Sequence, residues 1–278
     1  MKQKRRIFAI LVISLGVLLM AACGTTETKE ANGVDGGKVK KELRVVTDAA
    51  YAPFEYQEGD KIVGFDIDFL KAAAKEAGYE LKFEHVGWDP IFVEIKSKRA
   101  DLAVSSISID DERKQTYDFS LPYFLSTNKI LVREDSDVES AADLKGKKVA
   151  VQNGTTGQAA VDKLLGKNNK DIKKFDNNNL AIMEMMSGGA DAVVADNGVV
   201  EVYAKNNPNE KLKVIEDSTS FDSEFYGILF PKGSELKKEF DQAIRKIIEN
   251  GTYERIHEDW FGTKPDMEKL KAEQEASQ

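Results

Sequence analysis

RADLAVSSISIDDER (residues 99–113) and GADAVVADNGVVEV (residues 189–202) are two versions of one pattern. Each opens on an Ala-Asp pair, runs through a short apolar stretch that suits a buried strand, and ends in polar residues. A helical pattern precedes each one: Asp89-Pro90 onward in the first case, NNLAIMEMMSGG in the second. Two copies are too few for a solenoid. Two similar α/β units joined by extended segments instead predict a cleft between them, lined by polar groups at the strand ends.

Outward from the first stretch, the sequence predicts a strand at LRVVTD (43–48), a hairpin around Gly59-Asp60, and a helix over DIDFLKAAAKEAG capped by Asp66. A second strand follows at YELKFEHV (79–86), then a helix started by an Asp89 cap and a first-turn Pro90, ending near Lys98. Asp101–Ser105 forms a third strand, so this unit carries a largely parallel sheet under helices. The second unit begins near residue 130. It reads as strand VAVQ (149–152), helix NGTTGQAAVDKLL, helix NNLAIMEMMSGG, strand ADAVVAD, helix NGVVEVYAKN and strand LKVIED (212–217). A strand YGILF from Tyr226, two amphipathic helices and a charged tail after Phe261, loose at its end, complete the chain.

Length and composition set limits on what this body does. At 278 residues it is near two domains of roughly 150 residues each. With 40 basic and 48 acidic residues the net charge is -8, which argues against nucleic acid as a partner. One Cys and two His rule out an internal disulfide and a structural zinc site, so no metal is expected.

The candidate ligand-holding residues sit at strand ends. In SSISIDDER, Arg113 offers a forked clamp for a carboxylate, with Ser106 and Ser108 as donors. Ser108, Asp110 and Asp111 as caps, with Arg113 turned to solvent, is the alternative. In QNGTTGQ (152–158), free backbone N–H groups at a helix start attract an anion, and Thr155 and Thr156 add hydroxyls. A plain N-cap would account for one of those threonines. The loop lacks the Gly-Lys-Ser/Thr ending of a phosphate loop and is no dinucleotide fingerprint, so no cofactor is expected. Asp196 follows the apolar AVVA and can receive an ammonium group or cap the next helix. Asp48 holds the analogous place after the first strand, where it attracts a cation or closes a turn. Tyr51 and Trp88 are loop aromatics suited to sandwiching a flat or cationic side chain. Phe54, Phe65 and Phe69 read as core, His85 and His257 as non-catalytic, and Glu224 as a residue within reach of the ligand.

At the N-terminus, Lys2, Lys4, Arg5 and Arg6 precede an apolar run from Ile7 to Met20 and then Ala21-Ala22-Cys23-Gly24. These are the parts of an export signal. Leu19-Met20-Ala21-Ala22-Cys23 resembles the bacterial lipoprotein signal, which implies removal of residues 1–22 and lipid attachment at Cys23. The polar stretch that follows, through residue 41, reads as a flexible tether.

With these residues assembled, TDAAYAPFEY, VGFDIDF, SSISIDDERKQTYDFSLPYF, VAVQNGTTGQ and ADAVVADNGVV together resemble the solute-binding proteins of bacterial amino-acid ABC importers, over about residues 42–262. GWDP, VQNGTTGQ and NNPNEKLKVIED are similar to the arginine/lysine/histidine-binding lipoproteins of Gram-positive bacteria. The resemblance implies an α/β, two-lobed, type II periplasmic-binding-protein fold, each lobe a mixed sheet flanked by helices, joined by two hinge strands. Lobe 1 would hold 42–128 and 229–262, lobe 2 would hold 129–228, and 263–278 would be the tail. It further implies that Arg113 takes the α-carboxylate with Ser106, Ser108 and Thr156. Asp196 takes the α-ammonium, Tyr51 and Trp88 flank the side chain, Asp48 faces its cationic end, and Ser105 and Gln152 line the site. The expected ligand is a basic L-amino acid (Arg, Lys or His), with a polar neutral one such as glutamine as the alternative. Gly157, where some basic-ligand relatives carry glutamine, leaves that alternative open. A monomer delivering its ligand to a membrane permease is expected. No turnover is expected; an enzyme of the cyclohexadienyl dehydratase type is the alternative, with Glu224 as its candidate acid or base.

Overall fold

The computed structural model describes residues 41–277, so the signal segment, Cys23 and nearly all of the tether lie outside the described residues. In chain order the first part comprises β1 (Glu42–Thr47), β2 (Ala50–Tyr51), β3 (Glu55–Glu58), β4 (Lys61–Val63), α1 (Phe65–Ala77), β5 (Glu80–His85) and α2 (Trp88–Lys96). β6 (Leu102–Ala103), α3 (Asp111–Thr116), β7 (Tyr117–Phe119) and the long β8 (Phe124–Arg133) follow. Next come β9 (Val149–Gln152), α4 (Thr156–Leu165), β10 (Ile172–Phe175), α5 (Asn178–Met186), β11 (Ala192–Asp196), α6 (Asn197–Asn206) and β12 (Leu212–Ile215). β13 (Ser223–Tyr226), β14 (Leu229–Pro231), α7 (Leu236–Glu249), α8 (Thr252–Phe261) and α9 (Met267–Ala276) end the chain.

Two mixed sheets carry the molecule. The first runs β5-β1-β6-β14-β7, with β1 parallel to β5 and β6, and β14 antiparallel to its neighbours. The second runs β10-β9-β11-β8-β12: β9 is parallel to β10 and β11, and β8 is antiparallel to β11 and β12. The expected single strand from Tyr226 is two strands. β13 pairs with the first four residues of β8, and beyond Gly227-Ile228 the chain enters the first sheet as β14. A second crossing links β7 in the first sheet to β8.

Apolar residues fill both faces of each sheet, as α/β layering requires. Phe54, Phe65, Phe69, Phe230, Phe240 and Tyr253 belong to the large cluster under α1, α7 and α8, which also takes in Val199 from α6. Val46, Ile91 and Ile95 pack the other face of the first sheet. Around the second sheet the clusters are aliphatic: Val149, Val151 and Val194 on one face, Ala150, Ile182 and Val193 on the other.

The repeated Ala-Asp pattern is a repeated corner. After α2, the Arg99 and Ala100 N–H groups donate to the Glu94 carbonyl; after α5, those of Gly189 and Ala190 donate to the Glu184 carbonyl. Asp101 then exchanges two bonds with Arg44 at the start of β1: its N–H donates to the Arg44 carbonyl, and its carboxylate accepts the Arg44 N–H at 2.8 Å. Asp191 does the same with Lys148 beside β9, its carboxylate accepting at 2.7 Å. Each aspartate thus satisfies an orphan donor and fixes where its strand begins.

Three local expectations are corrected. Asp66 does not cap α1, which follows Gly64; it is fully buried and accepts from the Ser106 N–H (2.7 Å) and the Tyr123 hydroxyl (2.8 Å). α2 starts at Trp88 after Gly87, whose φ of 84° makes the turn, so Asp89 and Pro90 both lie inside the first turn. The tail is not loose: α9 buries Leu270, and the Gln274 side-chain amide donates to the Pro122 carbonyl at 2.7 Å. Charge alone concealed two inward-facing residues. Among the described residues, no helix is long and apolar enough to cross a membrane.

Candidate functional site

One cavity is lined by Asp48, Tyr51, Trp88, Ser105, Ser106, Ser108, Arg113, Gln152, Thr156 and Asp196, all read from the sequence as candidates. They converge because β1, β6, β9 and β11 deliver their carboxyl ends to the same side, where open α/β sheets present ligand groups.

Arg113 is not turned to solvent; its side chain is only 12% exposed. Asp110 does cap α3, its carboxylate accepting the Arg113 N–H at 2.7 Å and facing Nε at 3.2 Å. The guanidinium then reaches back to the Ser108 carbonyl (2.8 Å) and across to the Gly154 carbonyl (3.2 Å). It lies 5.5 Å from the Trp88 ring centroid and 5.4 Å from that of Phe92. Burial pulls its pKa below the usual value, opposed by Asp110, Glu224 and Asp196. Such a cation favours an incoming carboxylate. Ser106, at φ 48°, turns the backbone so that Ser105, Ser106 and Ser108 all line the cavity.

Across the cavity, Thr155 is the N-cap of α4, its hydroxyl accepting the Gln158 N–H at 3.1 Å, which leaves Thr156 at the first helical position facing inward. Gly157 is forced by packing: a Cβ there would lie 2.9 Å from Asn128 Oδ1 and 3.1 Å from the Val194 carbonyl. Asp196 precedes α6 but makes no side-chain capping bond. Its Oδ2 accepts the Tyr51 hydroxyl at 2.7 Å and the Tyr226 hydroxyl as well. Burial and that carboxylate push both tyrosines well above the ordinary phenol value.

Asp48 is 4% exposed, and burial pushes its carboxyl up. Its N–H donates to the Ser105 hydroxyl at 3.0 Å, and the Gln152 amide donates to its Oδ2 at 3.3 Å. His85 Nδ1 is 3.8 Å from Asp48 but accepts the Ala49 N–H at 2.9 Å, so it presents no proton to that carboxyl. Gln152 is held in turn by Asn178, whose amide donates to its Oε1 at 2.9 Å.

The sequence reading missed Glu55, Asn128 and Asn178 as lining residues and took Asp66 for a helix cap. Glu55 is fully buried and accepts the Ser105 hydroxyl at 2.8 Å. Burial and the neighbouring Asp66 push it well above the carboxylic range, and burial raises Asp66 to about 6. Two carboxyls this close favour sharing one proton. Asn128 lies opposite Asp196 in the strand register, a relation invisible until β8 is paired. Trp88 Nε1 and Asn128 Oδ1 are buried lining atoms without a protein hydrogen-bond partner, which marks where a polar ligand would be received. The cavity has an empty volume of about 410 Å³, its open mouth included.

The chain matches the family model for bacterial extracellular solute-binding proteins, family 3, over residues 43–263. It is 38% identical to a probable histidine-binding protein of Neisseria gonorrhoeae, covering 94% of this chain and 97% of that one. It is 34% identical to the arginine-binding extracellular protein ArtP of Bacillus subtilis, covering 91% and 96%. The crystal structure of the arginine-, lysine-, histidine-binding protein ArtJ from Geobacillus stearothermophilus superposes with a TM-score of 0.81 at 53% identity, over 83% of this chain and all of that one. With its paired mixed sheets and polar cavity, the chain belongs to the family 3 bacterial extracellular solute-binding proteins.

Proposed function

We propose that the protein captures a basic L-amino acid outside the cell and hands it to a cognate ABC permease. The observation that carries this is the charge layout of one cavity: Arg113 is its single basic lining residue, against the carboxyls of Asp48 and Asp196. An α-carboxylate pairs with Arg113 beside Ser106, Ser108 and Thr156, and the α-ammonium with Asp196. A cationic side chain then extends toward Asp48, past Tyr51 and Trp88. Histidine, arginine and lysine in the names of the relatives agree with that polarity. Because the ligand bridges groups from both sheets, it favours the closed arrangement over an open one. The hinge lies at the two chain crossings, dividing residues 42–128 plus 229–262 from 129–228. A monomer held to the membrane through acylated Cys23 completes the proposal, and no residue is assigned to catalysis.

One observation favours glutamine as a second ligand: Gln152 already donates to Asp48, so this carboxyl has an amide partner of its own. Calorimetry of the chain from residue 24 against arginine, lysine, histidine, glutamine and glutamate separates the two. Tightest binding by a basic amino acid is expected. A preference for glutamate, or turnover of any ligand, would overturn the proposal.

A further inference from the structure

We propose that Glu224 is a second carboxyl of the ammonium subsite, and that it gives up a proton when a ligand's ammonium group pairs with Asp196. The inference rests on the ligand orientation proposed above and concerns a residue that the orientation does not use. β13 sets Glu224 opposite Ser126 on β8, two positions from Asn128, which itself faces Asp196 on β11. The Asn128 amide donates to Glu224 Oε1 at 3.3 Å, and the hydroxyls of Thr156 and Ser108 are near enough to favour its charged form. Glu224 therefore shares the two hydroxyls and the aspartate among which the zwitterion would lie.

The surrounding charges fix the proton inventory. Asp196 faces Glu224 from β11, Tyr51 from β2 and Tyr226 from its own strand, and both phenols donate to Asp196. Arg113, from α3, is the cation that feels Glu224, yet three of its donors already point at Asp110, the Ser108 carbonyl and the Gly154 carbonyl. A buried carboxyl and a half-buried one beside a single guanidinium do not both ionise cheaply. Burial, then Asp196, raise Glu224 to about 8, against the pull of the Thr156 and Ser108 hydroxyls. At neutral pH that balance favours the protonated acid.

An arriving ammonium cancels the repulsion from Asp196 and adds a positive charge of its own. The Glu224 carboxylic acid becomes a carboxylate, its proton passes to solvent, and the ligand remains an ammonium ion. Binding and deprotonation are then linked, with the sign set by the raised pKa of the free protein. Affinity rises by up to tenfold per pH unit as the pH increases toward about 8 and levels off above it.

The test is calorimetry of L-arginine binding to the purified protein at pH 7 in two buffers of different ionisation enthalpy, repeated between pH 6 and 8. Wild type should release close to one proton per ligand, and its affinity should climb with pH. Glu224→Gln keeps a polar partner for Asn128, Ser108 and Thr156; it should bind with no proton released and with a flat profile. Binding by wild type without proton release overturns the inference alone, as does an unchanged count in E224Q. Absence of proton release in wild type overturns the inference even should the variant fold poorly. Failure to bind any of arginine, lysine, histidine or glutamine would overturn the parent proposal and this one together.

Discussion

The corner after α2 and the corner after α5 enter their strands by the same hydrogen bonds and leave them differently. On the way in, Glu94 and Glu184 carbonyls collect the turn, and Asp101 and Asp191 seat the strand against its neighbour. On the way out, β6 runs into the polar loop 105–110 and the short α3, whereas β11 passes directly into α6. The first exit supplies three serines and Arg113, which suit an anion; the second supplies Asp196, which suits a cation. The entrance is therefore structural and interchangeable between the halves, and the exit carries the chemistry.

The largest effects belong to the exits. Arg113→Ala and Asp196→Ala each strip one end of the proposed zwitterion pairing, and truncating a partner of a desolvated charge costs about 2–5 kcal/mol. Calorimetry should show affinity for the preferred amino acid falling at least thirty-fold or so in each, by the same principle. Normal affinity in either would erase the division between anionic and cationic exits. Gly198→Ala comes next. Its Cβ would stand 2.5 Å from the Phe54 ring, where α6 meets the other unit, and overpacking of this kind costs about 1–3 kcal/mol. Weaker binding with lower urea stability is expected; if both are unchanged, α6 does not press on Phe54.

Smaller effects fall on the entrances. Asp101→Ala and Asp191→Ala should each lose about 1–3 kcal/mol in urea unfolding, with ligand contacts untouched. The loss should be greater for Asp101, whose bond is half-buried while that of Asp191 is exposed. Equal, negligible losses would mean that the shared corner is ornamental. The smallest change separates Lys98, at φ 57°, from its counterpart Gly188, at φ 81°. Lys98→Gly should be neutral or stabilising by up to about 1 kcal/mol, because a side chain in the left-handed region is strained. Gly188→Ala should be destabilising by a similar amount.

What was legible in the sequence follows the same division. The Ala-Asp pairs marked both strands, and polar residues directly beyond them marked the cavity, because a strand end in this fold points its next residues at the cleft. Pairing was not legible. The stretch around Asn128 carries no alternation that distinguishes a ten-residue strand from an extended connection, so the Asn128–Asp196 relation and the split of β13 from β14 emerged only from the register. Polar residues turned inward misled in the other direction. Asp66 resembles a helix cap and Glu55 a surface residue, and each is buried because the other, with Ser105, Ser106 and Tyr123, receives it.

The last helix has a practical consequence for anyone wishing to watch this molecule work. α9 is moored through Leu270 to the aromatic core and through Gln274 to Pro122, two residues before β8 sets out from one sheet to the other. A fluorescent protein fused after residue 278 would therefore be carried on a stiff mount beside a crossing rather than on a slack leash. Paired with a second fluorophore on α5, it would turn amino-acid capture into an optical signal, and the chain into a ready-made sensor.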